Sequence, residues 1–114
     1  MFAQSRTVLL NETFDSMTMP EGWSIIGDGI ENWHTSETNN AGGEACEIYL
    51  HYHPIFYFGQ SRLTTPPIDL TGISSVTVSF KHYFDNFSTW VSSLGIATSS
   101  DNGNTWNTAW TQEY

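Results

Sequence analysis

Alternation of apolar and polar residues at every second position is the feature that most constrains this chain. It is clearest in VTVSFKHYF, residues 76–84, where Val76, Val78, Phe80, His82 and Phe84 share one face. A period of two is that of a β-strand, whose successive side chains point to opposite faces. The runs CEIYLHYH, residues 46–53, and SLGIATS, residues 93–99, repeat the alternation, whereas helical periodicity is nearly absent.

Shorter candidate strands and turn-rich pieces fill the rest of the chain. The short candidates are Thr7 to Phe14, Trp23 to Ile26, Trp33 to Thr35, Ser61 to Thr64 and Trp106 to Trp110. Between the strands lie MPEGW, GDG, NNAGG, TPPIDLTG and SDNGN, which are rich in turn-forming residues. Short strands at this spacing, each with one apolar face, predict an all-β fold, an antiparallel sandwich.

Charge and length exclude several classes of protein. The 114 residues suit one small domain, and 12 acidic residues against 3 basic ones give a net charge of −9. A phosphate-binding surface needs a basic patch, so we expect no nucleic-acid partner. No apolar run has the roughly 18 residues of a spanning helix, so we expect no membrane insertion. Cys46 is the one cysteine, which excludes an intrachain disulfide and a cysteine-based zinc site.

Six motifs in order resemble a known family. They are LLNETFDS, MPEGWSIIGDG, NNAGGEACEIYL, GQSRLTTPPIDLTG, VTVSFKHYFDN and GIATSSDNGNTW. From about residue 8 to the C-terminus the chain resembles the choice-of-anchor J domains of bacterial surface proteins, related to the cleaved-adhesin (haemagglutinin-type) domains of gingipains. The resemblance implies a jelly-roll-like β-sandwich in a secreted or cell-surface protein, commonly from Bacteroidetes. It also implies a non-catalytic module, often with structural calcium, attached to peptidases, adhesins or other secreted proteins.

The chain departs from the family pattern in two places. Cys46 stands where proline is common, and the closing strands, which usually carry an acidic pair, are missing. We therefore expect residues 7–114 to be one sandwich domain truncated at its C-terminal end. Residues 1–6 are interpreted as a signal-peptide remnant or a disordered N-terminus. Open sheet edges would favour homo-oligomers or contacts with neighbouring domains.

The stretch SSDNGNTW, residues 99–106, also resembles an Asp-box, matched at Ser99, Asp101, Gly103, Thr105 and Trp106. Its chemistry is that of a hairpin turn: the aspartate accepts backbone N–H bonds, the glycine takes positive φ and the tryptophan packs beneath. A nucleophilic serine would need a base beside it, and the spacing implies none. The stretch thus predicts a structural turn and no catalytic residue.

Glu12 is the starting point for a calcium hypothesis. It alternates in phase with Val8, Leu10 and Phe14, so a regular strand would turn its carboxylate toward the core. A buried carboxylate needs a cation or donors, and calcium takes about six to eight oxygen ligands. The further candidate ligands are Asp15, Asp28, Asn39 and Asn40. Two alternatives stay open, namely a bulge that turns Glu12 outward and an ion pair with Arg62.

The histidines raise a zinc hypothesis. On a strand, His51 and His53 point the same way, roughly 7 Å apart at about 3.3 Å per residue. Glu47 shares their face but lies roughly 13 Å from His51, too far to share a metal ion. His34 follows Trp33 near a loop, and we expect His82 to be a hydrogen-bonded core residue. No spacing specifies a third ligand, so the pattern favours no zinc site.

An aromatic run is the candidate ligand-binding surface. Phe56, Tyr57 and Phe58 follow a proline in HYHPIFYFG, where a loop cannot turn all three inward. Exposed apolar patches usually mark binding, and Trp90 is added to this predicted ligand-binding set. The same residues could instead contact further strands or a neighbouring domain.

Three functions follow from these observations. The first is a non-catalytic secreted or cell-surface module for adhesion, which binds a glycan or a surface protein and is stabilised by Ca²⁺. The second is a structural accessory domain of a larger secreted peptidase or hydrolase. The third, a small hydrolase, is disfavoured because the sequence indicates no pairing of a nucleophile with a base.

Overall fold

The computed structural model describes residues 6–56, 59–86 and 92–114. Regular structure in these ranges is β, apart from one 3-10 turn at Ile30–Asn32. The strands are β1 (Ser24–Gly27), β2 (Trp33–Ser36), β3 (Glu47–Leu50), β4 (Ser61–Thr64), β5 (Ser93–Thr98) and β6 (Asn107–Glu113). The prediction of an all-β antiparallel fold is confirmed. No helix in the described ranges has the length and apolar character needed to cross a membrane.

The strands form antiparallel pairs in two compact units, Met1–Tyr83 and Phe84–Tyr114. In the first unit β1 pairs with β4 and β2 pairs with β3. In the second unit β5 pairs with β6, with an irregularity between Ile96 and Ala97. The second pairing continues one step further, because Ser92 and Tyr114 exchange backbone hydrogen bonds of 3.1 and 2.8 Å.

Polar contacts connect the pieces of the first unit. The indole Nε1 of Trp33 on β2 donates to Ser61 Oγ on β4 at 2.7 Å. The rings of Phe14 and Trp23 meet edge to face at 5.5 Å. Among the described residues no hydrophobic side chain is fully buried, and Asn32, at 0% exposure, is the one buried polar residue. Order in this unit therefore depends strongly on hydrogen bonds.

Two predicted strands, residues 76–84 and Thr7 to Phe14, are not formed in the structure. Residues 76–84 form no strand, and Val78 and Tyr83 are each 62% exposed. Alternation shows which residues would share a face, but a strand also needs a neighbour that accepts its backbone hydrogen bonds. His82 is exposed in this segment, so the expectation of a core histidine is also wrong.

The predicted strand Thr7 to Phe14 is interrupted by a local bond. The Glu12 carboxylate accepts the Phe14 backbone N–H at 2.6 Å, and Phe14 has a φ of 56°. That bond is a local alternative to a sheet ladder, and the positive φ takes the backbone out of the β region.

Candidate functional site

Three histidines and two tyrosines gather beside the β2–β3 sheet, and we call them the histidine–tyrosine cluster. Its members are His34, Tyr49, His51, Tyr52 and His53. The register pairs His34 on β2 with Tyr49 on β3, and their ring centroids lie 5.6 Å apart. The His51 ring lies 6.3 Å from each of these two rings. The register thus brings His34 to side chains that lie 15 or more residues away in sequence.

The cluster continues beyond the end of β3. The Tyr52 ring lies 4.7 Å from the His51 ring and 4.3 Å from the His53 ring. Tyr49 is 40% exposed and Tyr52 is 54% exposed. The two tyrosines are therefore partly exposed beside imidazole nitrogens that can donate or accept hydrogen bonds.

Asn32 holds this end of the sheet in place. Its side-chain Nδ2 donates to the carbonyl of His51 at 2.8 Å and to that of Pro54 at 2.7 Å. Its own carbonyl accepts the His51 backbone N–H at 2.7 Å. Asn32 Oδ1 is buried and has no hydrogen-bond partner in the described part of the chain. Three bonds to a buried residue fix the backbone that carries His51 and His53.

The aromatic run predicted to bind ligand is described only in part. Phe56 is half-buried, and its ring covers Gly29. A Cβ on Gly29 would meet Phe56 Cε1 at 2.5 Å. Phe56 therefore has a packing role in the first unit, while Tyr57, Phe58 and Trp90 lie outside the described residues.

The predicted calcium ligands either make local hydrogen bonds or are exposed. Asp28 Oδ2 accepts the Gln60 backbone N–H at 3.3 Å, and Asn39 Nδ2 donates to the Gly43 carbonyl at 3.2 Å. Asn40 donates its backbone N–H to Glu47, and Asp15 is exposed. Glu12 bonds to Phe14 as described above. In the ranges that the structure describes, no three Asp, Glu, His or Cys side chains are arranged to hold a metal ion.

Glu47 is a structural carboxylate, whereas the sequence indicated only that it lies too far from His51 to share a metal ion. Its oxygens accept the Thr38 hydroxyl and the backbone N–H groups of Asn40 at 3.0 Å and Ala41 at 3.1 Å. The Thr38 bond, helped by the two backbone bonds, lowers the pKa of Glu47 below its ordinary value. Glu47 thereby closes the loop between β2 and β3.

The SSDNGNTW stretch forms a hydrogen-bonded turn between β5 and β6. Asp101 accepts the Thr105 backbone N–H at 2.8 Å and the Thr105 hydroxyl at 2.6 Å. Ser99 Oγ donates to Asp101 Oδ1 and accepts the Gly103 N–H, both at 2.8 Å. Trp106 Nε1 donates to the Gly103 carbonyl at 3.1 Å. The Thr105 and Ser99 bonds lower the pKa of Asp101 to about 2.

An open groove borders the histidine–tyrosine cluster. It is lined by Met17, Thr18, Met19, Trp33, His34, Thr35 and Ile48. His34 belongs to both features, but Trp33, Thr35 and Ile48 alternate with His34 and Tyr49 along the strands and therefore lie on the other face of the sheet.

Comparison with known proteins adds no relative: no protein-family model, curated protein or solved structure matches this chain.

Proposed function

We propose that this chain is a non-catalytic secreted or cell-surface module that binds a glycan through the histidine–tyrosine cluster. The observation that carries the proposal is the pair of exposed tyrosines, Tyr49 and Tyr52, beside three imidazoles on backbone held by Asn32. A surface protein is the alternative ligand of the same face.

The chemistry of the cluster suits recognition. Tyrosine offers a large, rigid contact area with a polar tip, at a low cost in conformational entropy. Exposed aromatic patches usually mark interaction sites, and imidazoles supply hydrogen bonds that orient a hydroxyl-rich ligand. Because Asn32 fixes the backbone of this face before binding, less ordering is needed when a ligand arrives.

The non-catalytic part of the proposal rests on how the candidate nucleophile is used. Ser99 Oγ donates to a carboxylate and accepts a backbone N–H within the turn, which is the arrangement of a structural hydroxyl. An activated serine would instead donate to a general base that is itself oriented by a third group.

The finer fold belongs to the same proposal. We infer a jelly-roll-like β-sandwich of the choice-of-anchor J type, supported by the antiparallel pairs and by the six ordered motifs. Structural Ca²⁺ at Glu12, Asp15, Asp28, Asn39 and Asn40 stays a prediction of that resemblance.

Binding to an array of neutral and acidic glycans tests the proposed function. We expect the wild-type chain to retain at least one glycan, and the Tyr49→Ala/Tyr52→Ala double variant to bind it at least tenfold more weakly, about 1.4 kcal/mol. Tyr83→Ala is the matched control, because Tyr83 is 62% exposed and lies outside the cluster. Equal binding by the double variant and wild type would contradict the assignment of the face.

A structural accessory role is the second candidate, and residues 76–80 favour it. Val76, Val78 and Phe80 are 49%, 62% and 47% exposed in a segment that alternates like a strand. A neighbouring domain of a longer protein, or a second copy of the chain, could cover the exposed side chains of Val76 and Val78, as exposed apolar surface commonly mediates contacts. Sedimentation velocity of wild type and Val78→Lys tests whether this surface mediates contacts: a dimer lost in the variant supports a contact surface, and a monomer in both opposes self-association through it.

A further inference from the structure

Three of the four histidines of the chain belong to one cluster, although His34 comes from β2 and the other two from the segment that follows β3. The centroid of the His51 ring lies 6.3 Å from that of His34 and 6.4 Å from that of His53. His34 and His53 are exposed and His51 is half-buried. Two imidazoles whose centroids lie about 6 Å apart are close enough for one nitrogen of each ring to approach a shared metal ion at about 2.0–2.1 Å.

The hydrogen bonds of His51 involve Nδ1, so that Nε2 of the same ring can bind a ligand from outside the chain. Its Nδ1 lies 3.3 Å from the backbone carbonyl oxygen of His53 and 3.3 Å from the His53 backbone nitrogen. When Nδ1 accepts the His53 N–H, the neutral ring carries its proton on Nε2; when Nδ1 carries the proton and donates to the His53 carbonyl, the Nε2 lone pair is available, and a bound metal ion selects this second tautomer. A metal-bound histidine commonly donates its other N–H to a backbone carbonyl, which fixes the tautomer and the ring orientation.

We propose that His34 and His51 form a surface site for a divalent transition-metal ion, Cu²⁺ or Zn²⁺, with water in the remaining positions. Two imidazole nitrogens at about 2.0–2.1 Å from the ion would hold it between β2 and the end of β3. His53 acts as a positioning residue through its backbone carbonyl. The site uses two ligands because the described residues contain no ready group of three.

Ligand type selects the ion. Imidazole suits copper, zinc and nickel, and copper binds most tightly in the divalent series, whereas calcium and magnesium prefer oxygen. The carboxylate on the same strand, Glu47, is engaged by Thr38, Asn40 and Ala41, so it is not offered as a ligand. The proposed ion is thus distinct from the predicted calcium, and the proposal does not depend on glycan binding.

Titration calorimetry with CuCl₂, ZnCl₂ and CaCl₂ tests the site on the full chain. We expect one Cu²⁺ and weaker Zn²⁺ binding, a loss of at least tenfold in affinity in His34→Gln and in His51→Gln, and no effect of either change on any Ca²⁺ signal. His82→Gln is the matched control, because it removes the one histidine outside the cluster and should leave affinity unchanged. His53→Ala keeps the backbone carbonyl and should change affinity less than threefold.

Cu²⁺ line broadening in proton NMR spectra gives a second readout that a folding defect cannot imitate. Substoichiometric Cu²⁺ should broaden the ring signals of His34 and His51 before that of His82. Three results would overturn the proposal: no Cu²⁺ binding by wild type, an equal loss of affinity in His82→Gln, or full affinity in the His34→Gln/His51→Gln double variant.

Discussion

Asn32 and His51 exchange two hydrogen bonds across the start of the β2–β3 sheet. The Asn32 side-chain Nδ2 donates to the His51 carbonyl at 2.8 Å, and the His51 N–H donates to the Asn32 carbonyl at 2.7 Å. The first bond depends on the side chain and the second on the backbone alone. The geometry of the histidine–tyrosine cluster therefore depends on one buried amide.

Asn32→Ala should lower the free energy of unfolding by about 1–3 kcal/mol, because it removes the donor to two partly buried carbonyls. Urea unfolding followed by tryptophan fluorescence measures the change. Asn11→Ala is the control, since Asn11 is exposed and should change stability by less than about 0.5 kcal/mol. Equal stability of Asn32→Ala and wild type would show that the amide does not hold the turn.

Gly29→Ala should destabilise the first unit more than Gly72→Ala. Both glycines have positive φ, 64° and 76°, so both substitutions carry the cost of a left-handed alanine, about 1–2 kcal/mol. A Cβ at Gly29 would in addition strike the Phe56 ring at 2.5 Å, whereas nothing lies within 4 Å at Gly72. In the same urea measurement, the free energy of unfolding of Gly29→Ala should be at least about 1 kcal/mol lower than that of Gly72→Ala. Equal losses would mean that Phe56 does not cover Gly29.

Asp101 should make the β5–β6 turn sensitive to strong acid. Its pKa falls from 3.8 to about 2 because the charged form accepts bonds from Thr105 and Ser99. Because folding lowers the pKa of Asp101, the charged carboxylate stabilises the turn fully above about pH 3.8. This stabilisation is lost as the pH falls toward about 2. Carboxyl-carbon NMR should report this low midpoint, and Thr105→Val should raise it. A midpoint near 3.8 would contradict the turn geometry.

Glu47→Gln should loosen the loop between β2 and β3, because a neutral amide accepts the Asn40 and Ala41 N–H bonds more weakly than a carboxylate. Hydrogen exchange at those two amides should accelerate. In wild type the same protection should be present above the ordinary glutamate value of 4.5 and decline as pH falls through the lowered pKa. Glu37→Gln, an exposed change nearby, is the control. Unchanged exchange in Glu47→Gln would exclude the capping role.

Local patterns predicted strands well where a partner exists. Ser61 to Thr64 matches β4, and Trp33 to Thr35 falls one residue short of β2. The run from Val76 to Phe84 has the strongest alternation and forms no strand, because a pattern along one segment carries no information about its neighbour.

The candidate site was predictable only in fragments. Alternation placed Tyr49, His51 and His53 on one face, but His34 joins them through a register that pairs it with Tyr49. Register depends on which strands meet, and no local motif encodes it. The role of Asn32 could not be predicted either, because a single asparagine in the stretch GDGIENW indicates only a turn residue.

A nuclear Overhauser measurement between the aromatic rings of His34 and Tyr49 tests the histidine–tyrosine cluster directly. The β2–β3 register places their centroids 5.6 Å apart, so ring-to-ring cross-peaks are predicted, together with cross-peaks from both rings to His51. Backbone cross-peaks of β2–β3 without any contact between these rings would contradict the histidine–tyrosine cluster, and with it both proposals that depend on this face.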